Sequence, residues 1–223
     1  MIEHLFEVLS VPAICLANSS VLSLYGNGFH TGCVLDSGAG VTSAISVCEG
    51  YSLTHSSQRI NIAGNSVSDF LQKNLFREGH YFSPKFSSHT LNELKHNVCQ
   101  ITPIPYNIDS ISDYSASVPY TLPDGSIINI GRSRIISTEV LFRPFIIGDE
   151  SPAIHQLIYD SIKLADPEVR KKLYSNIVLS GGNTLFQGTQ DRLLYEMKLL
   201  TGNQCNLKIY SSKRRITSAF KGL

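Results

Sequence analysis

The first regular period along the chain is helical. Val21, Leu22 and Tyr25 share one side of a short helix that starts at Ser19 or Ser20, and Gly26, Asn27 and Gly28 stop it. Apolar runs follow at Gly32-Cys33-Val34-Leu35 and over residues 41–47, which predict two strands joined by the turn Asp36-Ser37-Gly38-Ala39-Gly40. Val67, Phe70, Leu71 and Leu75 return to helical spacing behind Ser66 as the cap, with Gly79 as the stop. Leu91, Leu94 and Val98 predict another short helix, and residues 101–118, rich in Pro, Ser, Asn and Asp without periodicity, predict a surface loop and the place for disorder.

The second half alternates strand and helix. Tyr120-Thr121-Leu122 and Ile127–Ile130 flank Pro123-Asp124-Gly125, which is hairpin turn chemistry. Ser151-Pro152 opens a helix with proline at its first position, and Ile154, Leu157, Ile158 and Ile162 form its apolar stripe. A strand over residues 176–179 feeds Ser180-Gly181-Gly182-Asn183; Leu193, Leu194, Met197 and Leu200 mark a helix after it, and residues 207–210 a last strand. Such an order predicts an α/β fold, and no internal repeat interrupts it.

Composition narrows the class. With 223 residues, 42% hydrophobic and 17% charged, the chain suits one large or two small globular domains. A net charge of +1 without long like-charge runs gives neither a nucleic-acid footprint nor a polybasic membrane patch. Lys213-Arg214-Arg215 reads as a solvated turn, with a phosphate contact as the sharper alternative. Five cysteines, Cys15, Cys33, Cys48, Cys99 and Cys205, lack zinc spacing and suit reduced thiols, Cys33 and Cys48 as buried apolar groups. Residues 8–35 carry no Asp, Glu, Lys or Arg, yet Pro12, Asn18, Gly26, Asn27 and Gly28 break any membrane span. The expectation is a protein of the cytoplasm or nucleus that binds no membrane and no nucleic acid directly.

Two glycine-rich turns carry candidate chemistry, at residues 36–40 and 180–184. Glycine there permits positive φ and close-set N–H groups, a donor array for phosphate oxygens. Asp36 could hold a water-coordinated Mg²⁺ or could cap its own hairpin. Neither turn is specific alone.

Five stretches in order make a more specific pattern: Val21-Leu22-Ser23-Leu24-Tyr25, Val34-Leu35-Asp36-Ser37-Gly38, Glu49-Gly50-Tyr51-Ser52-Leu53, Leu122-Pro123-Asp124-Gly125 and Ile177-Val178-Leu179-Ser180-Gly181-Gly182. In order and near spacing they resemble actin and the actin-related proteins. The resemblance begins well inside the family's sequence and stops before its last helices. It implies the actin-like α/β fold, ribonuclease H-like and shared with heat-shock ATPases, with one inner α/β subdomain and an inserted helical outer subdomain. The implied parts are a hinge helix and remnant of a first lobe at 1–26, inner subdomain at 27–63 and 141–223, and outer subdomain at 64–140.

The resemblance also implies a nucleotide site for ATP or ADP with Mg²⁺. Asp36, Ser37, Gly38, Gly40 and Val41 would form the phosphate hairpin, with Asp36 holding the metal through water. Gly64, Lys95, Gly181, Gly182, Asn183 and Leu185 would face adenosine, and Arg215 stands where the family has an adenine-packing lysine. By the residues alone, Gly64 is equally a turn glycine and Lys95 a solvated helix residue. The chain departs from the family at three water-handling positions, where Ser19, Ala39 and Ser43 replace polar or acidic groups, and His96 replaces a ribose-binding Glu. The resulting expectation is an actin-like cytoskeletal interaction protein without ATP hydrolysis, partnered by actin or actin-binding proteins. The alternatives are a subunit with residual Mg-ATP binding and a fragment that does not act alone.

Overall fold

The computed structural model describes residues 1–80, 88–105, 117–202 and 205–223. Most of the 101–118 loop predicted from the sequence lies outside them. The N-terminal residues include one irregular turn, His4–Val8, with no buried side chain. The elements that follow are α1 (Ser19–Tyr25), β1 (Gly32–Ser37), β2 (Thr42–Cys48), β3 (Tyr51–Ser52), β4 (Gln58–Ile60), α2 (Gly64–Arg77) and α3 (Ser88–Val98). After them come β5 (Val118–Thr121), β6 (Ile127–Ile130), α4 (Ser133–Glu139), α5 (Ile154–Leu164), α6 (Pro167–Ser175), β7 (Ile177–Ser180), α7 (Thr189–Thr201), β8 (Ile209–Tyr210) and α8 (Ser218–Lys221).

Alternation along β1 builds a layered core. The main sheet runs β3-β2-β1-β7-β8, with β4 also on β2. β1 is antiparallel to β2 and parallel to β7, and β7 is parallel to β8, so the sheet is mixed. Cys33 and Leu35 face one side, where Ala44, Ile177 and Leu179 meet Leu157, Ile158 and Ile162 of α5. Val34 faces the other, where it packs with Val47, Val178 and Leu24 of α1. The first cluster continues without a break into Val67, Leu71 and Leu75 of α2 and Leu91, Leu94 and Val98 of α3. β5 and β6 form a separate hairpin.

Several boundaries differ from the sequence reading because tertiary partners set them. Ser66 does not cap α2: the helix starts at Gly64 behind Ala63, which makes no side-chain cap. Its first N–H groups are satisfied by the β1–β2 turn, Gly64 N–H by Gly38 O (3.1 Å) and Asn65 N–H by Ala39 O (2.7 Å). Likewise α5 opens at Ile154, not at Pro152, because Ile154 N–H finds Leu141 O at 3.1 Å. The last strand shrinks to Ile209–Tyr210. Ile101 and Thr102 are buried rather than on the surface, and Arg215 is buried rather than part of a solvated turn. Cys33 is buried as expected, whereas Cys48 is only half-buried. Among the described residues no helix is long and apolar enough to cross a membrane.

Candidate functional site

The β1–β2 turn supplies the first wall of the site. Ser37 and Thr42 close the ladder, their hydroxyls 2.8 Å apart, and Thr42 Oγ1 donates to Ile62 O at 2.7 Å. Gly38 N–H donates to Val41 O at 3.0 Å, which fixes the turn and leaves Ala39 and Gly40 exposed at its tip. Among the described residues nothing accepts from the Ala39 or Gly40 N–H. Two open, adjacent donors at a turn suit an anionic oxygen.

Asp36 lies just behind that tip, opposite Ser43 on β2 and beside Ser180 on β7. Burial pushes its carboxyl above the ordinary carboxylate range, and a hydrogen bond from Ser180 partly opposes this. The Ser180 hydroxyl also sits in a buried triangle with Ser23 (3.3 Å) and Ser218 (3.1 Å), which no sequence signal foretold.

The second loop closes on the first. Gly181 has φ of 86°, and a Cβ there would lie 2.2 Å from Ser37 O. Only glycine fits that approach. Asn183, 3% exposed, donates Nδ2 to Gly38 O at 2.8 Å and to Ser37 Oγ at 3.2 Å. Both of its amide protons are thereby spent on the hairpin, so Asn183 ties the two loops together. A Cβ on Gly64 would stand 2.9 Å from Asn183 Oδ1 and 3.3 Å from Lys95 Nζ, which explains glycine at the start of α2.

Lys95 is buried, not solvated. Its Nζ donates to Gly64 O (3.0 Å), Ser68 Oγ (2.9 Å) and Asn92 Oδ1 (3.0 Å), all neutral acceptors, and burial lowers its pKa. Arg215 Nε donates to Thr184 Oγ1 at 2.9 Å, a second guanidinium nitrogen to Thr184 O, and a third to Ser212 O at 3.2 Å. Desolvation lowers its pKa too. Gly182 and Leu185 bound the short turn between β7 and α7, both half-buried. His96 is exposed and stacks on Phe186, ring centroids 6.1 Å apart. The hairpin, the start of α2, Lys95 and the Gly181-Gly182-Asn183 loop thus converge on Gly64, and Arg215 joins the same loop through Thr184. Ser68 and Asn92, which hold Lys95, were not singled out by the sequence, and Thr184, which holds Arg215, was read only as the end of the second glycine-rich turn.

The arrangement fits a phosphate at the Ala39–Gly40 tip. Among the described residues no group of three His, Cys, Asp or Glu side chains is placed to hold a metal ion directly. Asp36 alone suits a Mg²⁺ held through its water shell.

A family model described as Actin matches residues 1–222. The chain belongs to the actin family. An actin-like protein of Neurospora crassa is 39% identical over 225 residues, which cover 99% of this chain and 59% of that protein. This actin-family chain therefore spans about three-fifths of the length of the curated relative it matches. Its mixed sheet with helices on both faces is consistent with the actin-like α/β fold expected from the sequence.

Proposed function

We propose that this actin-family chain works as a protein-docking subunit of actin-like assemblies and does not hydrolyse ATP. The observation that carries the reading is the β1–β2 turn. Its open face offers two N–H donors and an exposed Ala39 methyl, with Ser43 half-buried opposite Asp36 and Ser19 exposed at the start of α1. Phosphoryl transfer to water depends on positioning the water and holding charge, and none of these three side chains is an acid or an amide that could do so. Asp36 is the carboxylate that β1 sets beside the turn, and its burial disfavours the ionised form a metal shell needs.

The gathered Gly64, Lys95, Gly181, Asn183 and Arg215 favour a second reading, in which the site still binds Mg-ATP or Mg-ADP weakly without turnover. In that reading Ala39 and Gly40 hold phosphate by their N–H groups, Asp36 faces the metal's waters, and Gly182, Leu185 and Arg215 border the base. Bound nucleotide would supply negative charge to a pocket walled by Lys95 and Arg215. The division into a hinge segment at 1–26, inner parts at 27–63 and 141–223 and an outer part at 64–140 belongs to the same proposal, as do protein partners of the actin cytoskeleton and a cytoplasmic or nuclear place.

Phosphate release and thermal unfolding of the purified chain, each with Mg-ATP, test both readings. A ligand that binds only the folded state raises its stability as ln(1 + [L]/Kd). We expect no phosphate release above buffer. A melting shift abolished by Asp36→Ala favours the binding reading, and turnover abolished by the same substitution overturns the proposal.

A further inference from the structure

Charge is divided unevenly along the chain, although its sum is close to zero. Residues 1–162 hold 14 acidic and 8 basic side chains, whereas residues 163–223 hold 4 acidic and 11 basic ones. The fold gathers five of the latter along one border of the sheet. Lys171 and Lys172 are exposed in the last turns of α6. Lys208 is exposed at the entrance to β8, and its N–H donates to Tyr174 O at 3.2 Å, so it sits beside the end of α6. Lys213 and Arg214 are exposed just beyond the other end of β8.

Among the described residues none of the five forms an ion pair. The acids of the surrounding elements form no ion pair with them. Asp166 and Glu168 stand at the opposite end of α6, Glu196 of α7 is taken by Arg192, and Asp191 at the start of α7 pairs with none of the five. β8 is also the border strand of the sheet, with β7 as its one strand partner among the described residues.

We propose that Lys171, Lys172, Lys208, Lys213 and Arg214 form a docking surface for an extended acidic segment of a partner protein. The six residues from Lys208 to Lys213 span at most about 17 Å, the reach of five or six residues of extended chain. Lys208, Lys213 and Arg214 flank β8 in a row, and Lys171 and Lys172 stand on α6, whose end meets the row at Lys208. Between Lys208 and Lys213, Ile209 is buried and Tyr210, Ser211 and Ser212 are half-buried, so no exposed apolar side chain stands there to enter a bilayer, and the exposed Ile216 lies beyond Arg214. Membrane-surface binding draws on such insertion as well as on charge, and an acidic peptide needs only the charge. The inference specifies the partner's chemistry and does not depend on whether nucleotide binds.

Fluorescence anisotropy with a labelled poly-glutamate peptide and the full chain tests it. Binding is expected at low salt and should weaken roughly tenfold or more on raising ionic strength from about 50 to about 300 mM. The combined Lys171→Glu, Lys172→Glu and Lys208→Glu variant should weaken binding at least as much, whereas Lys73→Glu on α2 should leave it unchanged. All four side chains are exposed, and melting curves confirm that each variant folds. Unchanged affinity in the triple variant overturns the proposal. So does tighter binding to phosphatidylserine vesicles or to a single-stranded oligonucleotide than to the peptide.

Discussion

Asp36 sits at the centre of the site, and its burial couples the site to pH. Burial holds its carboxyl above the usual range, so the folded chain binds that proton more tightly than the unfolded chain, whose carboxyl titrates near 3.8. Below the unfolded value both states are protonated. As pH rises through the folded value the folded state must give up a proton it favours, and stability falls to a lower plateau. Asp36→Asn removes that loss. The variant should melt above the wild type at pH 7, and the difference should shrink towards pH 4 and below. A variant less stable than wild type at pH 7 would mean that Ser180 and its neighbours favour the ionised carboxylate. Asp36 and the glycine turns were legible in the sequence because each turn follows an apolar strand and both fall within the five stretches that keep actin's order, although neither turn is specific alone. Ser68 and Ser218 were not, since a short hydroxyl residue leaves the same trace in a loop as in a buried bond.

At the scale of elements, the apolar stripes of α2, α3 and α5 identified those helices, and the alternation over β1 and β2 identified the sheet. α4 escaped because its sequence shows no stripe: Ser133, Ser137, Thr138 and Glu139 are all buried. Its start is capped from a distant helix end, with Glu78 accepting from Ser133 N–H at 3.0 Å and from its hydroxyl at 2.9 Å. α6 carries a start signal in Asp166 before Pro167 but only a short apolar stripe behind it. α4 meets α7 through a buried ion pair. Arg192, 0% exposed, holds Glu139, 3% exposed, by two bonds of 2.6 and 3.1 Å, and stacks over Phe142. Glu139→Gln alone leaves a buried guanidinium half-compensated and should cost about 3–5 kcal/mol, read by urea unfolding. Adding Arg192→Met to it should recover part of that loss, because no uncompensated guanidinium then stays buried, and the Glu196 carboxylate it leaves unpaired is 13% exposed and reaches solvent. If the double variant is less stable than the single, Arg192 contributes chiefly through Thr102 O, Ile104 O and Glu196 instead.

The whole molecule is joined by one continuous apolar cluster. Leu35, Ala44, Leu157 and Ile177 around the sheet touch the same core as Val67, Leu71, Leu94 and Ile130 in the helical part, and Arg192 links that part to α7 by charge. A resemblance to actin suggested inner and outer subdomains, but sequence spacing cannot say whether two such parts share a core. Here the helical part inserts between β4 and α5, so both of its chain ends are anchored in the sheet layer. Neither part can open without exposing apolar surface of the other, and such coupling makes unfolding cooperative. Calorimetry should therefore give a single transition whose van't Hoff and calorimetric enthalpies agree, at about 150 kcal/mol near 60 °C for a chain of this length. Two resolved transitions would assign the helical part a stability of its own, and Glu139→Gln would then lower only one of them.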